Sequence, residues 1–172
     1  MEYFVYGRDA ARGFELKVAL NEEHWTFMDG YADQLIARGP TLTEDRERTT
    51  GSLHIVDLPD EDAVRSFAYD EPYYRAGAFE TVEIKRFNNR FPGRTMWDFT
   101  GSAPDRSRYL VLTRDESRRL TSPHLIMYGD LLDGEVQIGR AALVEAPSPT
   151  DAAALIEADH AEVHPWEFGG RR

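Results

Sequence analysis

Gly51-Ser-Leu-His-Ile-Val-Asp-Leu-Pro59, followed by Asp60-Glu-Asp-Ala-Val-Arg-Ser-Phe-Ala-Tyr69, sets a pattern that returns later in the chain. The second occurrence is Gly139-Arg-Ala-Ala-Leu-Val-Glu-Ala-Pro147, followed by Ser148-Pro-Thr-Asp-Ala-Ala-Ala-Leu-Ile-Glu157. Both read as a strand, a proline-containing turn and a helix. Acidic or hydroxyl residues open each helix, where they satisfy free N–H groups and suit the helix dipole. The spacing from Gly51 to Gly139 and that from Asp70 to Asp159 differ by one residue, so one insertion reconciles the two copies. An approximate internal repeat of this length predicts two related halves.

Glu2-Tyr-Phe-Val-Tyr-Gly7 and Arg108-Tyr-Leu-Val-Leu-Thr113 are short aromatic and β-branched runs and predict the opening strand of each half. Asn21 to Ala37 predicts a long helix, with Trp25, Met28, Ala32, Leu35 and Ile36 at helical spacing and Gly39-Pro40 ending it. Phe79 to Phe87 is a further strand, completing a β-α-β-β-α-β order. The expected fold is therefore α+β and ferredoxin-like, with helices on one sheet face. In the second half, Leu125 to Leu132 before Asp133-Gly134 predicts a hairpin where the first half has its long helix. The division is 1–88 for the first half, 89–105 for a connector anchored by aromatics around Trp97 and Phe99, and 106–172 for a degenerate second half.

The chain has 172 residues, 20 basic against 31 acidic, a formal charge of −11. Such a surface repels phosphate backbones and anionic membranes, so neither nucleic acid nor membrane is an expected partner. With no cysteine there is no disulfide, thiolate nucleophile or Cys-ligated metal, which suits a cytoplasmic location. No Gly-x-Gly-x-x-Gly, P-loop or Gly-x-Ser-x-Gly pattern occurs, and no cofactor is expected. His160 and His164 have a helical four-residue spacing, but Pro165 follows and no third ligand is signalled, so no metal site is expected.

The aromatic first strand, His24, Gly39-Pro40, Gly51-Ser52 and Asp70-Glu-Pro-Tyr-Tyr-Arg-Ala-Gly-Ala-Phe79 before Thr81 to Phe87 together resemble the YCII-related (YciI-like) domain family over about residues 1 to 88. The resemblance implies a unit of the dimeric α/β-barrel group. Two such units in one chain would form an intrachain pseudo-dimer. It also implies proton transfer by a His and Asp pair, without a cofactor, in dehydrochlorination, isomerisation or related chemistry on small cyclic or aromatic oxygenated substrates. The family's Asp-Pro appears here as Glu71-Pro72 with Asp70 one residue earlier, so either acid is the expected partner of His24. In the second half Asp159-His160 lacks the proline, and His124 is a poor match for His24.

Beside catalytic His24, Asp70 and Glu71, the expected substrate-binding residues are Trp25, Gly39, Pro40, Ser52, His54, Tyr73 and Tyr74. Imidazole titrates near neutrality and a carboxylate can fix its tautomer. Trp25, Tyr73 and Tyr74 can stack on a ring or serve as core. Gly39, Pro40, Gly51 and Ser52 read first as backbone devices. His54 alternates with Leu53 and Ile55 and so faces the other side of its strand, with Val56. Two functions remain open at this stage: an enzyme, or a non-catalytic protein that binds a small ligand or serves assembly on the same fold. Monomer and homodimer are both compatible with the pattern.

Overall fold

The structure, a computed structural model, describes residues 1–101 and 103–171. The first half lays down β1 (Glu2–Asp9), α1 (Gly13–Ala19), α2 (Asn21–Asp29), β2 (Leu35–Leu42), β3 (Thr49–Asp57), α3 (Glu61–Tyr69), α4 (Pro72–Arg75) and β4 (Phe79–Asn89). The second has β5 (Ser107–Thr113), β6 (Leu125–Asp133), β7 (Val136–Ala146), α5 (Pro149–Leu155) and β8 (Ala161–Pro165). All eight strands form one sheet in the order β2-β3-β1-β4-β6-β7-β5-β8. The first four and the last four thus repeat one ferredoxin-like order, joined where β4 pairs antiparallel with β6. The outer strands meet as well. Thr41 bridges to Trp166 beyond β8, and the Glu167 and Gly169 N–H groups donate to the Pro40 and Arg38 carbonyls at 3.2 and 3.0 Å.

That closure makes an intrachain α/β barrel. Alternation sends Phe4, Tyr6, Leu53 and Ile55 inward, where they pack with Phe87, Leu110, Leu143 and Trp166. Met96 and Phe99 of the connector, at a short 3₁₀ turn, join the same core. The opposite faces carry Tyr3, Val5 and Val56 under α2 and α3, and Tyr109, Val111 and Val144 under α5. Asp60 and Ser148 cap α3 and α5, accepting from Ala63 N–H at 2.8 Å and Asp151 N–H at 3.1 Å.

The expected helix over 21–37 is corrected. It stops at Asp29 with Gly30 as its cap, and Leu35–Leu42 pairs with β3 as strand β2. Ladder bonding and the inward burial of Ala37 outweigh the local helical spacing of Leu35 and Ile36. Gly39 and Pro40 therefore sit inside an outer strand, where proline is tolerated, instead of ending a helix. A Cβ on Gly39 would lie 1.9 Å from the Glu167 carbonyl oxygen, so glycine is required by the crossing C-terminal segment. Helix α1 was not foreseen. His164 lies on strand β8, and its Nε2 contacts Glu162 Oε1 at 2.6 Å, so the helical spacing considered for His160 and His164 does not apply. No helix among the described residues is long and apolar enough to cross a membrane.

Candidate active site

The site forms on the outer face of the first half's sheet, between strands β2 and β3 and helices α1, α2 and α4. A cleft of about 510 Å³ opens there. Its walls include Phe14, Trp25, Tyr73 and Phe168 among the rings, with Lys17, His24, Arg38, Ser52 and His54 among the polar groups.

His24 is brought to the cleft by the first turn of α2, its N–H donating to the Leu20 carbonyl at 3.0 Å. Glu71 arrives from the opposite side as the N-cap of α4, placed by extended backbone before Pro72, which suits the first helical position. His24 Nδ1 lies 2.5 Å from Glu71 Oε1, and Glu71 Oε2 accepts the Tyr74 N–H at 2.9 Å. Glu71 is 3% exposed. An ionised carboxylate can only accept, so opposite it Nδ1 is the donor, and in the neutral ring that tautomer leaves the lone pair on Nε2. Nε2 has no hydrogen-bond partner among the described residues. The imidazole lies flat on Tyr73, ring centroids 4.0 Å apart and planes 7° apart. Tyr73 is fixed in turn by donating its hydroxyl to Asn21 Oδ1 at 3.3 Å. Burial, helped by the nearby carboxylate of Glu71, raises the Tyr73 phenol above its ordinary range.

Trp25, Gly39, Pro40, Ser52 and His54 join His24 and Tyr73 around the cleft. Asp70 and Tyr74 do not. Asp70 ends α3 and pairs with Arg75 at 2.7 Å on the surface, while Tyr74 is exposed and packs on Tyr69. The two adjacent acids part because Asp70 closes one helix and Glu71 opens the next. His54 faces away from the barrel interior, as its alternation indicates, yet it still borders the cleft because the cleft lies on the helix side. Its ring stands edge-on to Phe67 and 6.1 Å from that of His24. Burial, reinforced by His24, Arg38 and Lys17, holds His54 well below the usual imidazole range, so it is neutral at pH 7.

Sequence reasoning missed Lys17, Arg38 and the C-terminal wall of Phe168, Gly169 and Gly170. Lys17 is buried, 2.5 Å from Asp9 Oδ1 and 5.8 Å from the Tyr73 ring centroid. Burial lowers its ammonium pKa, and Asp9 opposes that. The C-terminal segment is tied across α2 by Arg171, which reaches Asp29 at 2.6 Å and Glu22 at 3.2 Å and lies over the Trp25 ring. One local signal existed: Phe168-Gly-Gly170 is an aromatic beside flexible backbone, though nothing in it names its contact. Among the described residues no group of three or more His, Asp or Glu is placed to hold a metal ion.

Among solved structures the chain is similar to the 5-chloro-2-hydroxyhydroquinone dehydrochlorinase of Burkholderia phenoliruptrix in complex with 2,5-dihydroxybenzoquinone. That likeness has 24% identity and a TM-score of 0.47, covering 50% of this chain and 92% of that one. A protein from Lactobacillus acidophilus matches 98% of this chain and 96% of its own at 4% identity and a TM-score of 0.45. Protein YciI of Escherichia coli O6:H1 and that of Shigella flexneri are each 28% identical over 98 residues, which is all of the relative and 53% of this chain. A Haemophilus influenzae protein is 26% identical over the same length. The YCII-related domain matches residues 1–88, the half that carries His24, Glu71 and all of the cleft wall but Phe168 to Gly170, and the chain belongs to that family.

Proposed function

We propose that the protein is a small cofactor-independent enzyme that moves a proton on a cyclic or aromatic oxygenated substrate, in elimination or isomerisation, with His24 as acid and base. The observation that carries this is the 2.5 Å contact between Nδ1 of His24, which lines the cleft, and the carboxylate of Glu71 buried behind it. A general base needs a free lone pair facing the substrate and a partner that stabilises the imidazolium once the proton has been taken. Nε2 supplies the first and Glu71 the second. The imidazolium then returns the proton to the leaving group or to another carbon. Trp25, Tyr73, Phe14 and Phe168 give a ring flat surfaces to rest on and keep water from it.

The test is a panel of small oxygenated rings, including a chlorinated hydroxyhydroquinone and a butenolide, followed by chloride release and by exchange of carbon-bound hydrogen with deuterated solvent. Turnover is expected for at least one, with His24→Ala lowering the rate at least about 100-fold and leaving the circular dichroism spectrum unchanged. Turnover indifferent to His24 contradicts the assignment. Ligands that bind while none turns over would leave a non-catalytic binding protein. The outer strands close on each other, so no second copy is needed to complete the barrel, and sedimentation is expected to give a monomer.

A further inference from the structure

Among the described residues the cleft is lined by two basic side chains, Lys17 and Arg38, by two imidazoles and by no carboxylate, in a chain where acids outnumber bases 31 to 20. The two basic groups are compensated differently. Lys17 has Asp9, in a pair buried on both sides. Arg38 is 8% exposed, and its side chain makes a single hydrogen bond among the described residues, from Nη2 to the Arg171 backbone oxygen at 2.6 Å. No carboxylate among the described residues lies within ion-pair distance of it. Asp29, the acid that acts on it most strongly, is committed to Arg171.

The direction of Arg38 is fixed by register. It stands opposite His54 in the β2–β3 ladder, so both side chains leave the sheet on the cleft side. Gly170, at φ +81°, closes on the guanidinium so tightly that a Cβ there would lie 2.2 Å from Cζ. Gly170 and the Arg171 carbonyl therefore hold the group in place, and neither carries a charge that would neutralise it. A guanidinium carries a fork of N–H donors that matches a carboxylate or other oxyanion, and a buried cation lacking a counter-charge is costly.

From this geometry we infer that the ligand of the cleft is an anion, a planar ring bearing a carboxylate or a ring oxyanion, and that Arg38 is the residue that selects the charge. The inference rests on reading the cleft as the ligand site and gives its substrate a chemical class. The anion sits on Arg38, the ring lies between the aromatic walls, and the far edge of the ring is presented to His24.

Matched probes test it by titration calorimetry: benzoate against benzamide for a carboxylate, and 4-nitrophenolate against 4-nitroaniline at pH 9 for an oxyanion. In at least one pair the anion is expected to bind ten times or more tighter than its neutral match. Arg38→Gln is expected to abolish that preference, and His24→Gln to leave it in place. Should Arg38→Gln not fold, Arg38→Lys, which keeps charge but loses the fork, is expected to weaken the anion about five-fold and leave the neutral probe unchanged. Equal affinity within both pairs, no binding by any probe, or a preference that survives the Arg38 substitution would each overturn the inference. A charge preference without His24-dependent turnover would instead remove the catalytic reading and keep the anion site.

Discussion

Two rows of side chains, one in each half, hold equivalent places in the sheet and lead to opposite results. Across β1, β3 and β2 the row is Val5, His54 and Arg38; across β5, β7 and β6 it is Val111, Ala142 and Tyr128. Both face outward toward helices. Between β1 and β2 the chain lays down α1 and α2, which stand off the sheet and leave the cleft. Between β5 and β6, residues 114–124 form no helix, and α5 seals an apolar layer of Val111, Ala142, Val144, Ala152 and Ile156. Even the charged group under that layer is spent on structure: Arg140 is fully buried and donates from Nη1 to the Ile156 carbonyl at 2.8 Å. Strand order alone therefore does not make a site. What is laid over the outer face decides whether a polar row becomes a cleft or an apolar row becomes core.

The strongest way to press this difference is to unbalance the charged wall. Asp9→Ala strands Lys17 as a buried cation, and urea unfolding is expected to show a loss of about 3–5 kcal/mol; a loss below about 1 kcal/mol would mean that the pair is not buried in solution. Next is transplantation of the polar row. Ala142→His places an imidazole in a closed apolar layer and is expected to cost about 2–3 kcal/mol, from overpacking and an unpaired polar group. Were it neutral, the second half would contain space that the structure does not show. The caps should behave alike, because α3 and α5 begin in the same way: Asp60→Ala and Ser148→Ala are each expected to cost about 1 kcal/mol.

The smallest effect is the pH dependence that His54 of the first half contributes. His54 is neutral when folded, whereas the unfolded imidazole takes up a proton below about pH 6.5. Unfolded chains then bind more protons than folded ones, so stability falls as pH drops through that value and continues to fall toward the depressed folded pKa. Thermal melting between pH 7.5 and 5 is expected to show a shallower decline in His54→Leu than in the parent; identical slopes would place the charge elsewhere.

How much of this was legible in the sequence follows the range of the interactions involved. The opening strands, the capped helices α3 and α5, and the β6–β7 hairpin at Asp133-Gly134 are set by patterns of a few residues. β2 was hidden because Leu35 and Ile36 satisfy helical spacing as well as strand pairing, and only the partner strand β3 decides between them. His24 and an acid at 70–71 could be named as partners. Which acid it would be depends on the break between α3 and α4, where Asp70 ends one helix and Glu71 begins another. Arg38 and the wall of Phe168 to Gly170 were beyond local reading, since their roles arise when residues more than a hundred positions apart meet.

The central claim is that Glu71 holds His24 with its proton on Nδ1, leaving Nε2 free toward the cleft. Nitrogen NMR of the His24 ring, followed by raising the pH until the ring is neutral, tests it without a known substrate. In that neutral ring a protonated Nδ1 and a bare Nε2 are expected, with the preference lost in Glu71→Gln. An Nε2–H tautomer, or a mixture indifferent to Glu71, would contradict the account.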